Sequence, residues 1–77
     1  MKMTCNKPKK RSLNLNGHKT SVSIEDPFWN YFCGVARKKN LSLNSLASEI
    51  DLKRHPKVGL GTSIRVFCLE NAIKNGL

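Results

Sequence analysis

Hydrophobic and polar positions change rhythm along the chain. From Lys19 to Ile24 they alternate as Lys-Thr-Ser-Val-Ser-Ile, the period of an extended strand with one buried face. Thr20, Val22 and Ile24 fall on one side, and Lys19, Ser21 and Ser23 on the other. The spacing predicts a strand over 18–24. A strand this short needs a hydrogen-bonding neighbour, and everything after it reads as helix. Its partner is either the weaker apolar stretch just before it or the same strand of a second copy.

Residues 12–17, Ser-Leu-Asn-Leu-Asn-Gly, supply the first option. Leu13 and Leu15 alternate out of phase with Val22 and Ile24. A two-residue turn at Asn16-Gly17 repairs the mismatch by setting Leu15 opposite His18 and Leu13 opposite Thr20. Asn-Gly suits the positive φ that both turn positions require. An extra strand over 12–16 paired as a hairpin, and a single strand over 12–24 with a bulge at Gly17, both remain open.

After Ile24 the period becomes helical. Asp26 is a good N-cap and Pro27 suits the first helical position, which opens a helix over 27–39. Phe28, Phe32, Val35 and Ala36 share its apolar face, widened by Trp29 and Cys33. Trp29 and Tyr31 belong with this core or an interface rather than with a base-stacking platform. Arg37, Lys38 and Lys39 suit the negative helix end, and Asn40 suits the left-handed position past it. Ser42 caps a second helix over 43–53 that buries Leu43, Leu46, Ala47 and Ile50. Pro56, Gly59 and Gly61 mark 53–61 as a loop. A third helix over 62–75 carries Ile64, Phe67, Cys68 and Ala72, with Leu69 and Ile73 at the margin. Arg65 sits among apolar neighbours and calls for a carboxylate, Glu25 or Asp51.

Charge adds a partner class. The 77 residues hold 14 Lys+Arg against 5 Asp+Glu, a net charge of +9. Lys2, Lys7, Lys9, Lys10 and Arg11 crowd the first eleven positions without an acidic residue. Residues 1–11 therefore read as a disordered basic arm, and 12–77 as one folded domain. The arm either aids solubility or follows a phosphate backbone. A polyanion, nucleic acid most simply, is the expected partner. No apolar run reaches the ~20 residues that span a bilayer, and no apolar stretch follows the N-terminal lysines as in a secretory signal. The expectation is a cytoplasmic protein with reduced thiols that does not engage a membrane.

Catalytic chemistry is missing. Cys5, Cys33 and Cys68 lack metal-ligand spacing, and His18 and His55 are far apart. No nucleophile–base pair or phosphate-cradling glycine loop can be named, and Glu25-Asp26 is better spent at a helix start. No catalytic residue, metal or cofactor is expected, and an enzyme is excluded.

A strand, a Pro-initiated helix, a short turn and a Ser-capped helix follow in the order of the ribbon-helix-helix (Arc/MetJ-type) DNA-binding domain. The chain resembles it over residues 19–52. Gly17–Glu25, Leu41–Leu46 and Ser63–Glu70 tighten the match to a three-helix bacterial variant. The resemblance implies a mainly α fold with a short β ribbon. It would be an intertwined homodimer whose intermolecular antiparallel two-stranded sheet enters the major groove, plus a third C-terminal helix. Carried over by position, Lys19, Ser21 and Ser23 would face base edges. Ser42, Leu43 and Asn44 would offer helix-start N–H groups to a phosphate, joined by Lys9, Lys10 and Arg11 of the arm. Family members commonly act as transcriptional repressors or antitoxins.

Two of the three reading positions are serine, which discriminates poorly between bases. That leaves a rival from another class, a dimerisation module docking a second protein with no specific DNA role. RNA binding is weaker, because the ribbon has no exposed aromatic platform for unstacked bases.

Overall fold

The computed structural model describes residues 7–76. Two strands, β1 (Lys9–Leu15) and β2 (His18–Ile24), precede three helices, α1 (Asp26–Lys38), α2 (Leu43–Lys53) and α3 (Leu60–Lys74). The strands form one antiparallel two-stranded sheet. Asn16 and Gly17 close it with φ of 54° and 89°, the left-handed pair that a two-residue hairpin turn requires. Leu15 faces His18 and Leu13 faces Thr20, so the hairpin holds and the bulge does not. Within the one chain, β1 and β2 supply both strands of this sheet. The turn returns β1 onto β2 and pairs their facing backbone groups, and each strand keeps an outer edge.

The pairing extends further than the alternation of Leu13 and Leu15 suggests. It runs back to Lys9 opposite Ile24, so Lys9, Lys10 and Arg11 are strand rather than arm. Residues 1–6 of the expected arm lie outside the described residues. Register explains this better than composition does. Once the turn fixes Leu15 on His18, each earlier residue of β1 meets a residue of β2 and pairs its backbone.

Leu13, Leu15, Val22 and Ile24 are buried on the inner face of the hairpin. The helices close over them with Phe32, Val35 and Ala36 of α1, Leu46 and Ala47 of α2, and Ile64 and Cys68 of α3. Thr20 shares the inner side by register but stays exposed. Glu25, not Asp26, is the N-cap of α1, and its side chain makes no cap hydrogen bond. Asp26 is the first helical residue, where its carboxylate still complements the helix dipole. Asn40, at φ 59°, ends α1: its N–H donates to the Arg37 carbonyl and that of Leu41 to the Ala36 carbonyl, a Schellman closure. Ser42 caps α2 by accepting from the Ser45 N–H at 3.0 Å. Helix α3 begins at Leu60, two residues ahead of the expected start, with Gly59 as its N-cap. The Tyr31 hydroxyl donates to Asn71 Oδ1 at 2.8 Å and ties α1 to α3.

Candidate nucleic-acid interface

Side chains alternate across a ribbon, so burying one face frees the other. The register sets Lys10 opposite Ser23, Ser12 opposite Ser21, and Asn14 opposite Lys19. All of these are exposed and point away from the core. Lys19, Ser21 and Ser23 thus stand on the open face, as their alternation predicts. Lys10, Ser12 and Asn14 join them from the facing strand. Ser12 and Asn14 were not among the expected site residues, although the Asn16-Gly17 turn alone places them there. Neither Lys10 nor Lys19 has an ion-pair partner among the described residues.

Helix α2 starts beside this face. The Asn14 N–H, on the outer edge of β1, donates to Asn44 Oδ1 at 2.9 Å. Lys10, Ser12, Asn14, Lys19, Ser21 and Asn44 line one shallow depression. The Ser42 hydroxyl is spent on the Ser45 N–H, while the first-turn N–H groups at Leu43 and Asn44 precede any intrahelical acceptor. The ribbon face and a helix start suited to an anion are therefore held together through Asn44.

The six outer side chains can offer donors and acceptors to base edges. Lysine suits guanine O6 and N7, and serine serves either a donor or an acceptor. The Asn14 side chain is partly committed, since its Oδ1 accepts from the Gly17 N–H at 3.0 Å. Its amide NH₂ remains a donor.

Arg11 does not belong to this surface. It lies on the inner side of β1, and its side chain is only 17% exposed. It donates to the Ile24 carbonyl at 3.1 and 3.3 Å and to the Asp26 carboxylate, and its guanidinium rests 5.2 Å from the Trp29 ring centroid. Arg11, expected to reach phosphate, has Nε and Nη2 engaged by the Ile24 carbonyl and the Asp26 carboxylate. Lys9 pairs with Asp26 at 2.9 Å but keeps a 59% exposed side chain.

Two carboxylates brace the ribbon against the helices. Hydrogen bonds from Lys9 and then Arg11 hold the Asp26 carboxyl below its usual range. Glu25 is lowered likewise, chiefly by its hydrogen bond from Arg65. Arg65 Nε donates to Glu25 at 2.8 Å, and Nη2 donates to the Ser23 carbonyl on the outer edge of β2 at 2.7 Å. Of the two carboxylates the sequence offered Arg65, the structure selects Glu25. Asp51 pairs with Arg54 at 2.7 Å. Burial, with Cys33 nearby, pushes the Cys68 thiol up to about 11, so it packs as an inert small hydrophobe. Trp29 packs on Phe32 with ring centroids 5.7 Å apart and is no platform for bases. Among the described residues, no three His, Cys, Asp or Glu side chains cluster as a metal site, and no helix is long and apolar enough to cross a membrane.

A polar ribbon with a buried underside, followed by helices whose second start flanks the ribbon, defines a ribbon-and-helices recognition domain. The chain belongs to the ribbon-helix-helix domain family, whose sequence model matches residues 8–72. Members of that family are generally DNA-binding transcriptional regulators. No curated protein and no solved structure matches the chain significantly.

Proposed function

We propose that this chain is a cytoplasmic transcriptional regulator, repressor- or antitoxin-like. It binds double-stranded DNA in a sequence-dependent way, as a homodimer, through the outer face of its hairpin. The observation that carries this is the exposed set Lys10, Ser12, Asn14, Lys19, Ser21 and Ser23 on a two-stranded ribbon, an element whose width suits the major groove. Lys19, Ser21 and Ser23 act at base edges, with the facing residues of β1 alongside them. The Leu43 and Asn44 N–H groups, with Ser42 holding the helix start in shape, receive a phosphate. Lys10 and Lys9 add positive charge toward the backbone, as does the net charge of +9. The serines make recognition modest by direct contact, so groove shape and deformability share the selection.

The test is fluorescence anisotropy of a labelled random-sequence duplex at two salt concentrations, with the wild type and a Lys10→Ala/Lys19→Ala variant. Binding that weakens steeply with salt, and further in the variant, supports the proposal. Salt-insensitive binding, or a variant indistinguishable from wild type, would remove the ribbon as the reader and transfer the function to a protein partner.

A further inference from the structure

A cleft of about 450 Å³ lies between the C-terminal halves of α1 and α3, a volume within the range of small-molecule sites. Gly34 and the buried Val35 line it from α1. Glycine inside a helix costs stability relative to alanine, so Gly34 in the interior of α1 calls for a reason. Packing does not supply one. Apart from its own helix neighbours, no atom of the described residues comes within 4 Å of the place a Cβ would take. What the missing side chain leaves is an open, flat strip beside Val35.

Polar groups are fixed around this strip. The Tyr31 hydroxyl donates to Asn71 Oδ1 at 2.8 Å. Asn75 Nδ2 donates to the same oxygen at 3.1 Å and to the Asn71 carbonyl at 2.7 Å. These bonds hold the two carboxamides in place, and they leave the Asn71 NH₂ group as a donor and Asn75 Oδ1 as an acceptor. Lys38 and Lys39, at the end of α1, line the cleft as well, and no carboxylate does. Neither lysine has an ion-pair partner among the described residues. Two ammonium groups without a counter-charge, beside an apolar strip, attract an anion.

We propose that this cleft binds a small molecule of the mononucleotide class, a flat heterocycle carrying a phosphate. The ring lies on the strip at Gly34 and Val35, where a side chain at position 34 would stand in its way. Its hydrogen-bonding edge meets the Asn71 donor and the Asn75 acceptor, and its phosphate reaches Lys38 and Lys39. Bare phosphate would leave the strip and the carboxamides unused, and a neutral nucleoside would leave the lysines unused. The cleft shares no residue with the depression on the outer face of the ribbon, so the site does not depend on the DNA reading.

Titration of the ¹⁵N-labelled full chain with adenosine and guanosine monophosphates, followed by amide NMR, tests it. At least one nucleotide should shift the Gly34 N–H and the Asn71 and Asn75 side-chain amides with saturation. Adenosine or guanosine without its phosphate, and inorganic phosphate alone, should each bind about tenfold more weakly or worse. Gly34→Ala should melt no lower than wild type, because the helix gains and nothing is displaced. Gly34→Leu should raise the nucleotide Kd about tenfold or more, and so should Lys38→Glu/Lys39→Glu at exposed positions, with far-UV circular dichroism unchanged. Neither nucleotide shifting these signals would overturn the site, as would a nucleoside or phosphate binding as well as the nucleotide. A Gly34→Ala variant that melts lower would return the glycine to the fold, and Gly34→Leu or lysine variants that bind like wild type would also refute the proposal. Duplex DNA is titrated separately: shifts confined to the ribbon leave the cleft to the nucleotide, whereas the same shifts at Gly34 and Asn71 would assign the lysines to DNA and overturn it.

Discussion

Arg11 and Asp26, fifteen positions apart, join the first strand to the first helix: the Arg11 guanidinium donates to the Asp26 carboxylate while lying over the Trp29 ring. This one side chain bridges β1, the end of β2 and α1. Removing it leaves the Ile24 carbonyl without its side-chain donor and uncovers one face of Trp29. Arg11→Ala should therefore destabilise the fold by roughly 1–2 kcal/mol from the lost hydrogen bond and cation–π contact. Lys9→Ala, which removes a single well-exposed pair, should cost clearly less. Urea denaturation of the two variants checks the order.

Acid should loosen the same junction. Asp26 and Glu25 have folded pKa values lowered from ordinary values of 3.8 and 4.5. A lowered carboxylate contributes stability that is fully present above its unfolded pKa and is lost as pH falls through the folded one. The melting temperature should thus be insensitive to these groups above about pH 5 and fall below about pH 4. Asp26→Asn should be less stable than wild type at pH 7 and flatten the acid side of the profile. Thermal melts across pH 2.5–7, about the span of carboxylate titration, read both effects.

Gly17 sits at φ 89°, where a side chain is strained even though the space around it is open. Gly17→Ala should cost about 1–2 kcal/mol, and DNA affinity should drop with the fraction of folded hairpin. Asn16→Gly, at φ 54°, should be tolerated within about 1 kcal/mol, because glycine reaches that conformation freely. Denaturation midpoints of the two variants decide whether the turn controls the ribbon.

Particular residues show what the chain disclosed in advance. Leu13 and Leu15 run out of phase with Val22 and Ile24, which a two-residue turn or a bulge at Gly17 can reconcile, so alternation alone leaves the two open and the observed register decides for the turn. The facing pairs Asn14–Lys19, Ser12–Ser21 and Lys10–Ser23 follow from that register, yet Ser12 and Asn14 carry no signal of their own. Lys9, Lys10 and Arg11 lack the alternation of a strand, and the cover on Arg11 comes from Asp26 and Trp29 in a later element. Local pattern cannot show such a contact. The single-residue shift at the start of α1 has the same origin. Glu25 is held by Arg65 from α3, so neither acidic residue is free to cap as propensity alone suggests.

The outer-face lysines can be separated by their partners on DNA. If Lys19 meets a base edge, Lys19→Ala should weaken binding by about 1–3 kcal/mol and relax preference at one base position. Lys10→Ala, acting on phosphate, should weaken all sequences alike and lower the salt slope by about 1. Competition among selected duplexes, repeated at several salt concentrations, distinguishes the two.

Asn44 tests whether ribbon and helix start act as one surface. Its Oδ1 accepts from the Asn14 N–H at 2.9 Å in an exposed setting where water can replace it. Asn44→Ala should therefore change folding stability by less than about 1 kcal/mol. The same substitution frees the start of α2 from the edge of β1, so a phosphate held there would no longer be in register with bases facing Lys19 and Ser21. DNA affinity should fall several-fold, about 1 kcal/mol, with the melting temperature nearly unchanged. Anisotropy and thermal melts on one preparation give both values. A loss of affinity matched by an equal loss of stability would mean that Asn44 serves the fold alone.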